Sequence, residues 1–222
     1  MSQNTVNRKE NIIIIGCGQH ANVVLYNMKC QGKYKALGYF DVDNNKVGKV
    51  FHEYEVLENY KDHNLGELAR KYNTNKFFIG FGDMKYRKKV YDEFVDADWE
   101  AINIFHPDAV ISKEAKIGRG VLIEAGCLIT PNPQIGNNVV INTGSQVNHD
   151  NIIEDHVYIA SGVILSGGVH IQESTLIDDG TIVTLGQRVG MNCIIGAGSV
   201  VTKDIRDNVI AYGNPCRIIR EV

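Results

Sequence analysis

The 222-residue chain is 44% hydrophobic and 22% charged with a net charge of −3, which describes one or two ordinary globular domains and excludes long disorder and collagen. Its longest aliphatic run, Ile12–Ile15, is far short of the roughly 20 apolar residues a membrane span needs. The polar stretch from Ser2 to Asn11 does not read as a signal peptide. The five cysteines, Cys17, Cys30, Cys127, Cys193 and Cys216, are scattered without a C-x-x-C pair, so a reduced, cytoplasmic protein is expected. Residues 1–104 carry 15 Lys/Arg against 14 Asp/Glu and residues 105–206 carry 6 against 10, so neither half offers a basic face to nucleic acid. The cluster Lys85, Arg87, Lys88, Lys89 is the local exception and reads as a solvated helix face.

In chain order, residues 11–15 read as a buried strand. Gly16-Cys17-Gly18-Gln19-His20-Ala21 follows, a G-x-G-x-x-A turn, and then a helix over Ala21–Lys29. Glycines between a strand and a helix let an anion reach backbone N–H groups, yet a tight turn without any ligand fits the same pattern. A second strand over Ala36–Phe40 ends at Asp41, placed to contact a ribose or base. A helix is expected over Leu65–Tyr72, a strand over Lys76–Phe81, a helix over Met84–Val95 and a last strand over Ala101–Ile104. This is a short, mostly parallel, Rossmann-like α/β sheet in residues 1–104, with Gly80-Phe81-Gly82-Asp83 at a strand's C-terminal end, where ligands of open sheets gather. A nicotinamide-dependent reductase needs a larger sheet than this, and a mononucleotide suits it better.

From Phe105, every sixth residue through Val201 is apolar, without interruption. A period of six fits neither a helix nor a hairpin ladder. It fits a parallel β-helix of hexapeptide repeats in residues 105–222, with three hexads to each coil and the step-six residue pointing inward. The small or polar residue after it, such as Gly118, Gly136 or Gly190, is expected to let the corner turn. With no loop inserted, a site must lie on an edge or between subunits.

Of the seven histidines, His52, His63 and His106 read as structural or solvated. His149, His156 and His170 fall on three different parts of the 18-residue coil, which speaks against a metal site. His149 stands out in Val147-Asn148-His149-Asp150, beside a carboxylate and one coil below Gly167-Gly168, which are expected to leave room above the ring. An imidazole of ordinary pKa accepts a proton at neutral pH.

These pieces, with Phe40-Asp41, Gly82-Asp83, Asn142 and the closing Tyr212-Gly213-Asn214-Pro215-Cys216-Arg217, resemble the bacterial hexapeptide-repeat sugar acyltransferases. That family includes bacillosamine and perosamine N-acetyltransferases and sialic acid O-acetyltransferases. The resemblance covers essentially the whole chain and implies a left-handed β-helix packed as a homotrimer, with acetyl-CoA as co-substrate, no metal, and no membrane or nucleic-acid partner. It implies an acetyl-CoA-dependent N-acetyltransferase acting on a nucleotide-linked amino sugar for surface glycan synthesis, with O-acetylation of a sugar or sialic acid as the alternative and a non-catalytic nucleotide-sugar sensor as a third reading. By the same resemblance His149 is the general base and Asp150, where some relatives have Glu, orients it. Gly18, Gln19, His20, Asp41, Gly82, Asp83 and Asn142 then bind the nucleotide sugar, and Gly167, Asp179 and Ala197 line CoA. Ala197 and Gln172 replace glycines common in relatives, and Cys216 stands where they have Ala.

Overall fold

The computed structural model describes residues 9–222. The N-terminal half is a six-stranded sheet of β1 (Glu10–Ile15), β2 (Tyr34–Asp41), β3 (Val50–Phe51), β4 (Tyr54–Asn59), β5 (Lys76–Ile79) and β6 (Glu100–Ala101), in the order β3-β4-β2-β1-β5-β6. All neighbours are parallel except β3 and β4, which form an edge hairpin. Three helices flank it: α1 (Gln19–Gln31), α2 (Leu65–Tyr72) and α3 (Met84–Asp96). The helix ends follow from local chemistry. Asn64 and Asp83 cap α2 and α3 through side-chain oxygens, and Gly32 closes α1 in the left-handed region at φ 73°.

Three expectations are corrected here. The α1 helix begins at Gln19, two residues early, and β5 stops at Ile79, two residues short of Phe81; at Gly80 the chain approaches the Gly16 carbonyl and Ala21 too closely for a side chain. The stretch expected as one strand over Ala101–Ile104 divides between β6 and the first rung of the second half. The hairpin β3–β4 is an addition. Its Glu58 is buried yet satisfied by Lys71 and by the Tyr72 hydroxyl (2.6 Å), so a strand that reads as polar linker is stable in place.

The second half is a left-handed parallel β-helix of two-residue rungs. Each rung pairs with its equivalents 18 residues away, giving a three-sided prism. The first face runs through Ile104–Phe105, Leu122–Ile123, Val140–Ile141, Tyr158–Ile159, Leu176–Ile177 and Ile194–Ile195. The second runs from Val110–Ile111 to Val200–Val201 and the third from Lys116–Ile117 to Arg188–Val189. Past the last coil, Val209–Tyr212 continues the first face and Arg217–Glu221 folds back antiparallel on it. From Ile123 onward every step-six side chain is buried, while Phe105, Ile111 and Ile117 at the open end pack only partly.

The corner is not turned where expected. Residues of left-handed conformation recur at the fourth hexad position, fourteen times in succession from Gly120 to Asn192 and Gly198, with φ from 53° to 72°. They are mostly Gly, Asn and Asp, the types that tolerate it. The small residue after the inward one has another cause. A Cβ on Gly136 would stand 2.3 Å from Asp155 Oδ1 and 2.7 Å from its backbone nitrogen, so the next coil leaves no space. The fifth position also points inward. There Ser145 and Thr175 hydroxyls donate to the Ala160 and Gly190 carbonyls (both 2.7 Å), satisfying polar groups inside an aliphatic core.

The halves share one core. Ala21, Val24, Leu25 and Met28 of α1 pack with Ile104, Leu122 and Val140, the outward side chains of the first face. Lys88 of α3 pairs with Glu173 of the prism. The α/β unit therefore sits on the first face, and the opposite corner, between the second and third faces, stays open.

Candidate active site

The structure separates the expected site residues into four groups. The first surrounds a cavity of about 700 Å³ at the C-terminal ends of β1, β2 and β5. Gly18, Asp41 and Asp83 line it, with Phe81, Tyr60 and Tyr86 as aromatic walls and Lys46, Lys85 and Lys89 as cations. Gly16 is required by geometry, because its φ is 86° and a Cβ would strike the Phe81 ring at 2.6 Å. Asp41 is buried. Burial alone would raise its pKa, but bonds from the Cys17 thiol (3.2 Å) and Asp43 N–H (3.1 Å) and the Lys46 ammonium (3.2 Å) outweigh burial and hold the carboxyl below the usual range. The Cys17 thiol moves up to about 11, through burial and then the Asp41 bond, so it is no nucleophile at neutral pH. Asp83 accepts from Tyr86 N–H (2.8 Å) as the cap of α3. Gln19 is exposed outside the lining, at the start of α1.

The second group lies where the α/β unit meets the prism. His20 faces Tyr158 (centroids 6.2 Å apart), Asn142 donates to the Tyr158 hydroxyl (3.2 Å), and Gly82 lies against the same hydroxyl. Arg87 completes this junction. It is 3% exposed, donates to the carbonyls of Ile79 and Phe81 (3.1 and 3.2 Å), and has no carboxylate partner among the described residues. This corrects the reading of the basic cluster as a solvated face. Burial lowers the guanidinium to about 10, and burial together with this neighbouring charge lowers His20 to about 4, so His20 is neutral at physiological pH. Tyr158 and Arg87 were not anticipated. The signal for Tyr158 was an aromatic outward position in a row that is otherwise aliphatic from Ile104 to Ile194.

The third group is on the far corner. His149 Nδ1 lies 2.9 Å from Asp150 Oδ2, and both side chains are 61% exposed. A carboxylate only accepts, so Nδ1–H is the donor of this bond, and Nε2 has no hydrogen-bond partner among the described residues. The bond to His149 holds the Asp150 carboxyl below its ordinary pKa. Asp150 occupies one of the left-handed corner positions (φ 59°), which turns its carboxylate back onto the ring. Gly167 lies one coil on, and a Cβ there would be 2.4 Å from Nε2 and 2.5 Å from Cε1. The space above the ring expected from the two glycines is thus filled at Gly167 by the imidazole itself. The Gly168 N–H is engaged by the His149 carbonyl (2.9 Å).

Asp179 and Ala197, the fourth group, are not beside Gly167. They fall in one column on the corner between the first and second faces, where Asp179 accepts from Ser161 N–H (2.9 Å). One protomer therefore carries its two groups of expected CoA-lining residues along the two edges of its second face. Among the described residues no group of three or more His, Cys, Asp or Glu side chains converges as a metal site, and no helix is long and apolar enough to cross a membrane. His156 instead packs against Tyr91 and Asn138, and His170 bonds Glu154 at 2.6 Å.

Residues 11–94 match the PglD N-terminal domain family. The structure is similar to PerB from Caulobacter crescentus in complex with CoA and GDP-perosamine, at 30% identity and TM-score 0.86, over 95% of this chain and 97% of that one. It is equally similar to a histidine-to-alanine mutant of the same organism's GDP-perosamine N-acetyltransferase with CoA and GDP-perosamine bound, at 29% identity and TM-score 0.88, over 95% and 97% of the two chains. The acetyltransferase domain of PglB from Neisseria gonorrhoeae, in complex with acetyl coenzyme A, matches at 25% identity and TM-score 0.84 over 96% of this chain and all of that one. The chain belongs to the hexapeptide-repeat sugar acyltransferase family.

Proposed function

We propose that the protein is a cytoplasmic, acetyl-CoA-dependent N-acetyltransferase that acts on the amino group of a nucleotide-linked amino sugar for bacterial surface glycan synthesis. The observation that carries this reading is the His149–Asp150 pair, which orients the imidazole through Nδ1 and leaves Nε2 without a hydrogen-bond partner on an open corner of the prism. The solved relatives that hold CoA with GDP-perosamine, or acetyl coenzyme A, support the choice of substrates.

Transfer is direct. The sugar amine attacks the thioester carbonyl, the C–S bond breaks from the tetrahedral adduct, and CoA leaves as thiol. His149 takes the proton from the attacking nitrogen and passes it to the departing sulfur, while Asp150 stabilises the imidazolium. Much of the acceleration comes from holding amine and thioester together. A backbone N–H at Gly167 receives the oxyanion, the Gly168 N–H being engaged elsewhere.

The reading requires a homotrimer. The nucleotide cavity sits over the first face and His149 on the opposite corner, so one protomer does not join them. The outward row of the second face is Val110, Leu128, Gln146, Ile164, Ile182 and Val200, aliphatic but for one and uncovered in the protomer, with Val110 64% exposed. Three second faces turned toward a common axis bring the His149 corner of one subunit against the Asp179 and Ala197 corner of the next. The CoA cleft is then made by two subunits.

His149→Asn tests the assignment. The variant is expected to lose about 10²–10⁴-fold in kcat and to keep acetyl-CoA and nucleotide-sugar binding. Turnover near that of the unaltered protein would remove His149 from the chemistry. An acceptor panel with amine and hydroxyl at the same sugar carbon separates N- from O-acetylation.

A further inference from the structure

The basic cluster of α3 has three fates, and packing explains two of them. Arg87 is buried at the junction, and Lys88 pairs with Glu173. Lys85 and Lys89 are exposed, one helical turn apart, and both line the nucleotide cavity. Neither makes an ion pair among the described residues.

This placement works against the helix. Like charges four residues apart repel, by roughly 0.2–0.5 kcal/mol. Cations in the first turns also oppose the helix dipole, and the acids of α3, namely Asp92, Glu93 and Asp96, sit toward its C-terminal end, which the dipole disfavours as well. A helix shaped for stability alone carries the reverse order.

The cavity gives the two ammonium groups a purpose. Its two acids are both engaged, Asp41 by Lys46 and the Cys17 thiol, and Asp83 by the Tyr86 N–H. Asp83 keeps its charge, so the cavity's three lysines, Lys46, Lys85 and Lys89, outnumber its two carboxylates, Asp41 and Asp83, and leave a net positive charge toward the cavity. Phe81, Tyr86 and Tyr60 line the same cavity and offer flat surfaces against which an aromatic base can pack. The volume, about 700 Å³, lies within the range of small-molecule sites. A ligand that fits is an aromatic ring joined to two anionic groups.

We propose that Lys85 and Lys89 clamp the diphosphate of the acceptor, one ammonium to each phosphate, and so select nucleoside diphosphate sugars over monophosphate-linked or free sugars. This rests on the reading of the acceptor as nucleotide-linked. The clamp lies on α3, not on the glycine turn before α1, where the early side chains are the uncharged Gln19 and the neutral His20.

The test is calorimetric titration of the full chain with UDP, dTDP and GDP and with the three corresponding monophosphates, at about 50 and 200 mM salt. The proteins are the unaltered chain, the double variant Lys85→Met/Lys89→Met and, as a control, Lys35→Met, which removes an exposed lysine of β2. The unaltered chain and the control should prefer the best diphosphate over its monophosphate by about tenfold or more, a preference weakened by salt and reduced to about threefold or less in the double variant. Acetyl-CoA affinity should be alike in all three, and the melting temperature of the double variant should be equal to or slightly above that of the other two, because it relieves the repulsion on α3. A preference that survives in the double variant, or one absent from the unaltered chain, overturns the clamp and leaves the nucleotide-linked acceptor standing. If the unaltered chain binds acetyl-CoA but no nucleotide, the acceptor reading falls and the clamp with it.

Discussion

Gly167→Ala perturbs the His149 corner through a single methyl group. The Gly167 backbone is not in the left-handed region, so the substitution adds no backbone strain. The new Cβ would instead sit 2.4, 2.5 and 3.1 Å from Nε2, Cε1 and Cδ2 of His149, all inside van der Waals contact. The coil backbone is fixed by the ladder on both sides, whereas the ring is 61% exposed and held by one bond to Asp150, so the ring must move. Leaving its rotamer well costs about 0.5–1.5 kcal/mol. At about 2–4 °C per kcal/mol for a chain of this size, the melting temperature should fall by no more than about 6 °C. Displacing a base by about 1 Å costs on the order of 10²-fold in rate. Stopped-flow detection of released CoA thiol should therefore show kcat down about 10²-fold, with KM for acetyl-CoA little changed. An unchanged kcat would refute the claim that the imidazole works from the position it holds over Gly167. A raised KM for acetyl-CoA at unchanged kcat would assign Gly167 to the cofactor instead.

Further outcomes follow from burial, packing and exposed surface. His20, lowered to about 4, takes up its proton in the unfolded chain near pH 6.5 but in the folded chain only near pH 4, so stability falls as pH drops through that window, by up to about 3 kcal/mol. His20→Gln should flatten urea-unfolding stability between pH 6.5 and 4, and an unchanged slope would place the titration elsewhere. Gly136→Ala forces a methyl group against the Asp155 backbone, which cannot swing away, and overpacking of this kind costs about 1–3 kcal/mol. Its melting temperature should drop by about 2–12 °C in a thermal scan, against no change if the next coil can shift. Ile182→Asp puts a charge on the outward row of the second face. It should convert a trimer to monomers by sedimentation and abolish acetyl transfer while leaving acetyl-independent nucleotide binding intact; a stable, active trimer would move the interface to another face.

How far the sequence could be read depended on whether a pattern was periodic. The inward residues from Phe105 to Val201 obey a strict repeat, and nearly all are buried, because a solenoid repeats the same environment every coil. The corner was legible as well, through Gly, Asn and Asp at the fourth hexad position from Gly120 to Gly198, but the small second-position residues drew the attribution away from it. In the α/β unit β1, β2, α2 and α3 follow from apolar runs and caps. The β4 strand does not, because Glu58 and Asn59 are polar residues buried by partners far along the chain, Lys71 and Tyr72 for the first and Asn44 for the second. Arg87 escaped for a related reason. Its neighbours Lys85, Lys88 and Lys89 made a uniform positive run, and which of four cations turns inward is decided by the carbonyls of Ile79 and Phe81, not by any local pattern. In the site, the His149–Asp150 bond was legible from adjacency. The division of Gly167 from Asp179 and Ala197 between two edges needed the coil geometry to be laid out in space.

The prism also ends differently at its two extremities. At the top, Arg217–Glu221 folds back along Val209–Tyr212, so the last turn of the first face finishes in a hairpin. At the bottom, the rungs Val110–Ile111 and Lys116–Ile117 have no strand beneath them among the described residues, and Lys113, Glu114 and Lys116 lie in or beside these first rungs. A second molecule stacking there would gain only two-residue registers against mixed charge and would meet no matching parallel edge on the capped end. Both ends thus work against growth of the solenoid along its own axis, while its flanks stay available to other copies.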